Sequence, residues 1–260
     1  FDAAKELAVT NSRVDGLEAK FNNFEAGAFS ETTTASFSAD MAIGATDGVV
    51  LADLTSQEAI TATYGFQIDL NTSFTGEDSL DVSLDAGTSG AGTLGELDLN
   101  SGGDTLQVDG VSYTFPLGDK TTVFVGDNMD GSTLYSTACV YGGPTNTLDD
   151  CGNAYSALAA GFGTAAGASF DIGNGFTAAV GYETQGSGKT GVLTKESADA
   201  FGGQLTYTAD SYGASVTYAN IESTTTAGVV VAGEDVTDWG LNGYWTPSDS
   251  GSMPSVSVGY

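Results

Sequence analysis

Apolar and polar residues alternate one by one over strand-length segments of this chain of 260 residues. Between residues 29 and 45 the odd positions become apolar after the first few residues, while the even positions are mostly small and polar. The same alternation holds between 60 and 74 and recurs as far as Tyr260. Because successive side chains of a strand point to opposite faces, this pattern predicts many strands, each with one apolar and one polar face.

Composition narrows the classes of function that such strands can serve. The chain has 34 acidic and 6 basic residues, a net charge of -28 and no histidine. These counts exclude a histidine-based catalytic triad or metal site, and they exclude nucleic-acid binding, which needs a basic surface. The acidic balance favours cations as partners or solutes. We predict no enzyme and no cofactor, because the strand carboxylates have no evident catalytic partner groups.

The first 26 residues follow a different period. Their apolar positions recur in alternate steps of four and three, which is the heptad pattern of a coiled coil. We predict an N-terminal coiled-coil helix over 1–26 that self-associates, with a homotrimer as the expected oligomer. A single amphipathic helix packed on a globular core is the alternative. The residues predicted to mediate trimerisation are Leu7, Val14, Leu17, Phe21 and Phe24.

Three features favour a transmembrane β-barrel over a soluble β-sandwich. The first two strand segments run about 15 residues, well beyond the usual five or six. Short connections alternate with long polar ones, as in outer-membrane barrels. Aromatic residues lie near the predicted strand ends, as an interfacial girdle requires. They are Phe74, Phe115, Phe176, Tyr182, Trp239, Tyr244 and Trp245.

The predicted fold is therefore all-β, a transmembrane antiparallel up-and-down β-barrel over 29–260 that follows the N-terminal helix. With the helix in the periplasm, the connection 46–59 is external and the short turns are periplasmic. The alternation suggests thirteen strands. Bacterial single-chain barrels normally have an even number, so we expect further strands after residue 260 and an incomplete barrel here.

Two segments carry a resemblance to a known family. NSRVDGLEAKFNNFEAGAFSETTTASFSADMAIGA (11–45) resembles the helix-to-barrel junction of cyanobacterial outer-membrane porins, which are related to carbohydrate-selective porins and often described as iron-uptake porins. VSYTFPLGDKTTVFVGD (111–127) resembles a hairpin of the same family. The resemblance implies a trimer of 16-stranded barrels. It also implies an upstream surface-layer-homology domain that binds peptidoglycan-linked polymer; that domain is missing from this sequence, so tethering to the cell wall is only implied.

In the barrel interpretation the polar strand faces line a water-filled channel in outer-membrane lipid. Rings of carboxylates select cations, which predicts a cation-preferring channel for passive diffusion of small hydrophilic solutes and inorganic ions. For each acidic residue taken singly, a solvated strand or loop position is the simpler interpretation. The predicted pore-lining residues are Asp40, Asp69, Asp81, Asp85, Glu96, Asp98, Asp171, Glu183 and Asp210.

The longest connection, 127–158, contains both cysteines. Cys139 and Cys151 predict a disulfide formed in an oxidising compartment; two free thiols are the alternative. Such a loop can fold inward as a constriction, bind Ca²⁺ or remain an exposed acidic loop, and the last is the interpretation favoured by the sequence alone. The spacing of its oxygens does not match an EF-hand. The constriction residues would be Asp127, Asp130, Asp149 and Asp150.

The alternative function belongs to a different class. A secreted or cell-surface β-sandwich adhesin or filament subunit, with an acidic surface that binds Ca²⁺, would also alternate apolar and polar residues. A heat-modifiable oligomer that requires detergent would support the porin, and a protein that is soluble without detergent would support the adhesin.

Overall fold

The computed structural model describes residues 13–14, 32–45, 60–88, 100, 103–136, 163–184, 191–194, 197–222, 235–247 and 253–260. Its strands form one eleven-stranded sheet in which each strand pairs with its neighbours in the chain, and every pairing is antiparallel. The strands are β1 (Thr33–Gly44), β2 (Thr61–Thr72), β3 (Ser79–Gly87), β4 (Gln107–Pro116), β5 (Thr121–Met129), β6 (Gly163–Gly173), β7 (Phe176–Thr184), β8 (Asp199–Thr208), β9 (Tyr212–Ile221), β10 (Val236–Trp245) and β11 (Val256–Gly259).

The all-β, up-and-down part of the prediction is confirmed by this strand order. A β-sandwich has two packed sheets, whereas the described strands belong to a single sheet. Closure of the sheet into a barrel stays a prediction. Residues 94–99, which include a predicted strand, lie outside the described residues.

The first two strands are shorter than predicted. β1 and β2 have twelve residues each rather than about 15. The described residues contain eleven strands, whereas the predicted total of thirteen also counts residues outside them. The end of β2 shows the reason, because its alternation continues to Phe74 although the ladder ends at Thr72. A tight turn, and not the side-chain pattern, ends this strand.

That turn, residues 73–78, is closed by the carboxylate of Asp78. Its Oδ1 accepts the backbone N–H groups of Phe74 (3.0 Å) and Thr75 (2.7 Å), and its Oδ2 accepts the hydroxyl of Tyr113 on β4 at 2.6 Å. The hydrogen bond from Tyr113, followed by the backbone bond from Thr75, holds the pKa of Asp78 well below its ordinary value. The carboxylate therefore ties the β2–β3 turn to the next strand.

The connections alternate in length as the sequence indicates. Residues 73–78, 117–120, 174–175, 209–211 and 246–255 join strands at one end of the sheet. The longer connections 45–60, 88–106, 130–162, 185–198 and 222–235 join them at the other end. We call these the short-turn end and the long-loop end.

Of the predicted N-terminal helix, the structure describes two residues. Arg13 and Val14 are helical, and the side chain of Val14 is 45% exposed. The other predicted trimerisation residues, Leu7, Leu17, Phe21 and Phe24, lie outside the described part of the chain. No helix within that part is long and apolar enough to cross a membrane.

The strand register assigns each side chain to one of two faces. Phe37 lies opposite Ile68, and Ile68 lies opposite Leu84, so apolar residues share one face across neighbouring strands. This apolar face includes Phe37, Met41, Ile43, Ile68, Leu70, Val82, Leu84, Val111, Val125, Ala168, Val180, Leu205, Val216, Leu241 and Val258. The polar face includes Asp40, Asp69, Asp81, Ser83, Asp85, Ser112, Glu183, Gln204, Thr206, Ser215, Thr217 and Asn242.

Burial on the two faces is the reverse of that in a water-soluble protein. Met41 and Val180 on the apolar face are 75% and 59% exposed, whereas Glu183 and Thr217 on the polar face are each 1% exposed. Charged residues are almost never fully buried in soluble proteins, and large contiguous apolar surfaces mark contact with another apolar phase. The polar face is thus the sheltered side of the sheet over most strands, although Asp40 on β1 is exposed.

Candidate functional site

Aromatic residues form two bands on the apolar face. At the short-turn end, ring centroids lie 5.5 Å apart for Tyr113 and Phe115 and 4.8 Å apart for Phe176 and Tyr207. At the long-loop end they lie 5.0 Å apart for Tyr182 and Phe201 and 4.9 Å apart for Tyr218 and Trp239. On β8, Phe201 and Tyr207 belong to opposite bands, and the strand rise separates them by about 20 Å. On β7 to β10 the apolar face is therefore aliphatic in the middle and aromatic at both edges.

The predicted girdle residues largely fall in these bands. Phe115, Phe176 and Trp245 lie in the short-turn band, where Trp245 is opposite Tyr212. Tyr244 does not, because its neighbour Trp245 occupies the apolar face and a strand places consecutive residues on opposite faces. The ring of Tyr244 lies over Gly213 on the polar face.

Two of the predicted carboxylates form hydrogen-bonded groups on the polar face. Asp69 Oδ1 accepts hydrogen bonds from Gln67 Nε2 and Ser83 Oγ, both at 2.7 Å. Asp81 accepts one from Ser79 Oγ at 2.6 Å and one from Asn71 Nδ2 at 2.5 Å. Neutral donors thus orient both carboxylates. The basic residues in the described ranges are Arg13 and Lys120, and neither belongs to a strand.

The other predicted pore-lining residues take several positions. Asp40 is exposed on the polar face, and Asp85 is buried there with its Oδ1 accepting no hydrogen bond. Asp171, at the end of β6, accepts the backbone N–H of Gly173 at 2.8 Å. Asp210 is a turn residue and not a strand residue, since β8 ends at Thr208 and β9 begins at Tyr212. Glu96 and Asp98 lie outside the described residues.

The first residues of the long β5–β6 connection fold back over the polar face. We call residues 130–136 the inward segment. The backbone N–H of Gly131 donates to Glu183 Oε2 at 2.7 Å, and that of Ser136 donates to Gln204 Oε1 at 2.8 Å. Glu183 lies on β7 and Gln204 on β8. The segment therefore crosses two strands of the polar face.

The ring of Tyr135 fixes the middle of this crossing. It is 7% exposed and packs against Ala179, Ala200 and Ala219, which belong to the polar face of β7, β8 and β9. Burial, and to a lesser extent the charge of Glu183, raises the pKa of Tyr135 above its ordinary value. Its hydroxyl stays neutral at physiological pH.

A row of glycine and alanine residues that ends at Phe124 makes room for the inward segment. The register aligns Phe124, Gly167, Gly181, Gly202 and Ala219 across β5 to β9. A Cβ atom at Gly167 would lie 2.5 Å from the ring of Phe124, and one at Gly181 would overlap the backbone carbonyl of Gly131. Phe124 is fully buried although it belongs to the polar face. Glycine is thus required where the segment and this ring approach the sheet.

An acidic cavity of about 410 Å³ opens beside the start of the inward segment. Asp81 and Ser112 line it from the polar face of β3 and β4, and Asp109 and Asp130 complete its acidic lining. Burial is the main cause that raises the pKa of Asp130 above its ordinary value, and the negative charge of Asp109 adds to it. The cavity concentrates negative charge next to the segment.

The four predicted constriction residues do not act as one group. Asp130 belongs to the inward segment, whereas Asp127 follows the apolar register opposite Val111 and accepts the hydroxyl of Thr164 at 2.9 Å. Asp149 and Asp150 lie outside the described residues, as do Cys139 and Cys151. No group of three or more acidic, cysteine or histidine side chains in the described ranges is placed to hold a metal ion.

Several residues of this site have no clear signal in the sequence. Gln204, Tyr135 and Phe124 look like ordinary strand or loop residues, and Asp238, on the polar face opposite Ala219, was not among the predicted carboxylates. Glycines within the predicted strands are a usable signal for the site of the inward segment. An isolated glycine within a strand pattern marks a close approach by another backbone or a ligand, as at Gly181.

Comparisons with known proteins add little to this geometry. Neither a protein-family model nor a curated protein matches the chain. Among solved structures, the outer membrane channel DcaP of Acinetobacter baumannii is similar at 13% identity over 88% of this chain and 87% of that chain, with a TM-score of 0.27. A TM-score this low does not establish a common fold, so the functional conclusion rests on the chain's own faces and contacts.

Proposed function

We propose that this protein is an outer-membrane porin that forms a water-filled, cation-preferring channel for passive diffusion of small hydrophilic solutes and inorganic ions. The observation that carries the proposal is the reversed burial of the sheet, with exposed aliphatic side chains on one face and sheltered polar side chains on the other. Lipid is the phase that accepts such an apolar face, and the polar face then borders water.

The dimensions of the sheet agree with this proposal. Strands of nine to twelve residues are about 30–40 Å long at the usual rise. When they are tilted by about 35–45°, they span about 23–30 Å, close to the apolar band of an outer-membrane barrel. The two aromatic bands then lie near the two membrane interfaces.

The preference for cations follows from the charges on the polar face. Asp40, Asp69 and Asp81 are acidic and not buried, Asp85 and Glu183 are acidic and buried, and the described strands contain no basic residue. Carboxylates along a passage attract cations and repel anions, to a degree that salt screening reduces. The acidic cavity beside Asp130 adds to the negative electrostatic potential of the passage.

The remaining parts of the proposal concern location and assembly. In an outer membrane with the short-turn end in the periplasm, the N-terminal helix is periplasmic and the inward segment enters from the external side. The heptad residues of the helix, with Val14 exposed, would join three chains. No cofactor or enzymatic step is needed for passive diffusion.

Reversal potentials in planar lipid bilayers test the proposal directly. The detergent-purified full chain is added to one side, and a salt gradient is imposed across the bilayer. We expect discrete conductance steps and a reversal potential of the sign that cation selectivity gives. Conductance with anion selectivity would overturn the charge argument, and the absence of any conductance by a folded, inserted protein would overturn the channel itself.

A further inference from the structure

We infer that Glu183 and Gln204 are positioning residues, which anchor the inward segment to the polar face and so set the width and the charge of the passage. The inference rests on the proposed channel function. It assigns control of the narrowest part of the channel to two residues of the polar face. Neither residue needs to touch the solute for this role.

The first anchor is a carboxylate enclosed by small residues. Glu183 is 1% exposed, and its register partners on the two adjacent strands are Ala165 and Ala200, themselves 1% and 0% exposed. A buried carboxylate costs free energy unless its oxygens accept hydrogen bonds. The backbone N–H of Gly131 supplies such a bond at 2.7 Å. The segment and the carboxylate therefore stabilise each other.

The second anchor is an amide whose orientation is held by its own strands. Gln204 Oε1 accepts the hydroxyl of Thr206 at 2.9 Å, and Gln204 Nε2 donates to the hydroxyl of Thr217 at 3.1 Å. The same Oε1 accepts the backbone N–H of Ser136 at 2.8 Å. Because the threonines fix the amide before the segment arrives, its acceptor is already aimed at the segment.

The two anchors hold the ends of a segment that is itself a compact turn. The backbone N–H of Tyr135 donates to the carbonyl of Ser132 at 2.7 Å, and that of Thr133 donates to the carbonyl of Asp130 at 3.1 Å. Ser132 is fully buried. Because Asp130 directly precedes the anchored Gly131, the bond to Glu183 also fixes Asp130 in the acidic cavity that it shares with Asp81. Release of the anchors would widen the passage and remove a charge from it.

Single-channel recording of Glu183→Ala and Glu183→Gln tests the first anchor in the full chain. A hydrogen bond to a charged acceptor changes an equilibrium by roughly tenfold to a hundredfold, so we expect the Ala variant to leave the segment displaced for a much larger fraction of time. Its channels should show higher mean conductance, more current noise and weaker cation preference. Glu183→Gln keeps an acceptor for Gly131 and should restore a quiet channel of nearly parental conductance.

Gln204→Ala provides a second variant in case Glu183→Ala does not insert, and it should give the same kind of change through the bond to Ser136. A residue with a merely structural role would reduce the number of inserted channels and leave each one unchanged. Parental conductance and noise in both Ala variants would overturn the inference while leaving the channel proposal intact. A parent protein that inserts and does not conduct would instead overturn the channel proposal.

Discussion

Addition of one methyl group at Gly181 should displace the inward segment. A Cβ atom there would overlap the carbonyl oxygen of Gly131 and lie 2.7 Å from its carbonyl carbon. Non-bonded carbon atoms pack at about 3.5–4.0 Å, so the segment must move away by about 1 Å. The bond from Gly131 to Glu183, 2.7 Å in the parent, would then exceed the range of a hydrogen bond.

The size of the expected effect on docking of the inward segment follows from the burial of Glu183, which accepts the hydrogen bond. Glu183 is 1% exposed, so water does not readily replace the lost donor, and a hydrogen bond to a charged group contributes about 1.5–3 kcal/mol. Gly181→Ala should therefore lower the ratio of docked to displaced segment by roughly tenfold to a hundredfold. Single-channel recording should show a larger and noisier conductance than in the parent.

Gly203→Ala is the matched control. Its Cβ would lie 3.6 Å from the carbonyl oxygen of Ala179 and 4.0 Å from Val180 Cγ1, which are ordinary contacts. Both substitutions reduce the freedom of the unfolded chain by the same amount, so their difference isolates the collision with Gly131. Parental channels from Gly181→Ala, or equal effects of the two substitutions, would refute the reasoning.

Two further predictions concern the apolar face and the acidic cavity. Val180→Arg places a charge on the exposed middle of the apolar face. It should reduce the free energy of unfolding in lipid vesicles by about 2–4 kcal/mol, as measured by denaturant unfolding. Ser38→Arg, on the polar face, is the control, and equal losses in the two variants would contradict a lipid-facing Val180. Because the pKa of Asp130 is raised by burial and by Asp109, Asp130 loses its charge at a higher pH than an ordinary aspartate as the pH falls from neutrality. Cation preference should therefore begin to decline at a higher pH in the parent than in Asp130→Asn, and an unchanged pH profile in the variant would speak against this assignment.

The face of each strand was predictable from the sequence, because alternation alone decides it. Phe37, Met41 and Ile43 were expected on the apolar face and Asp40 on the polar one, and the register with β2 places them so. The ends of the strands were not predictable in this way. Hydrogen bonding by Asp78 ends β2 while the apolar alternation continues.

The inward segment was beyond the reach of sequence reasoning for a different reason. Its anchors depend on the register, which aligns Gly167 with Gly181 and puts Glu183 beside Ala200. Nothing in the local pattern around Glu183 distinguishes it from Asp40, although one is buried and bonded to a loop and the other is exposed. The sequence favoured an exposed acidic loop, whereas its first described residues lie against the polar face.

The pairing of every strand with its neighbours in the chain has a consequence for the order of folding. Contacts between strands that are neighbours in the chain keep the contact order lower than pairings across the whole sequence would, and they allow the sheet to grow one strand at a time. The inward segment is different, because its anchors lie 52 residues after Gly131 and 68 residues after Ser136. Its docking surface is not complete until β9, which carries Thr217 and Ala219, has joined the sheet. A wide, unobstructed intermediate should therefore precede the native state, and narrowing of the passage should be a late step of folding.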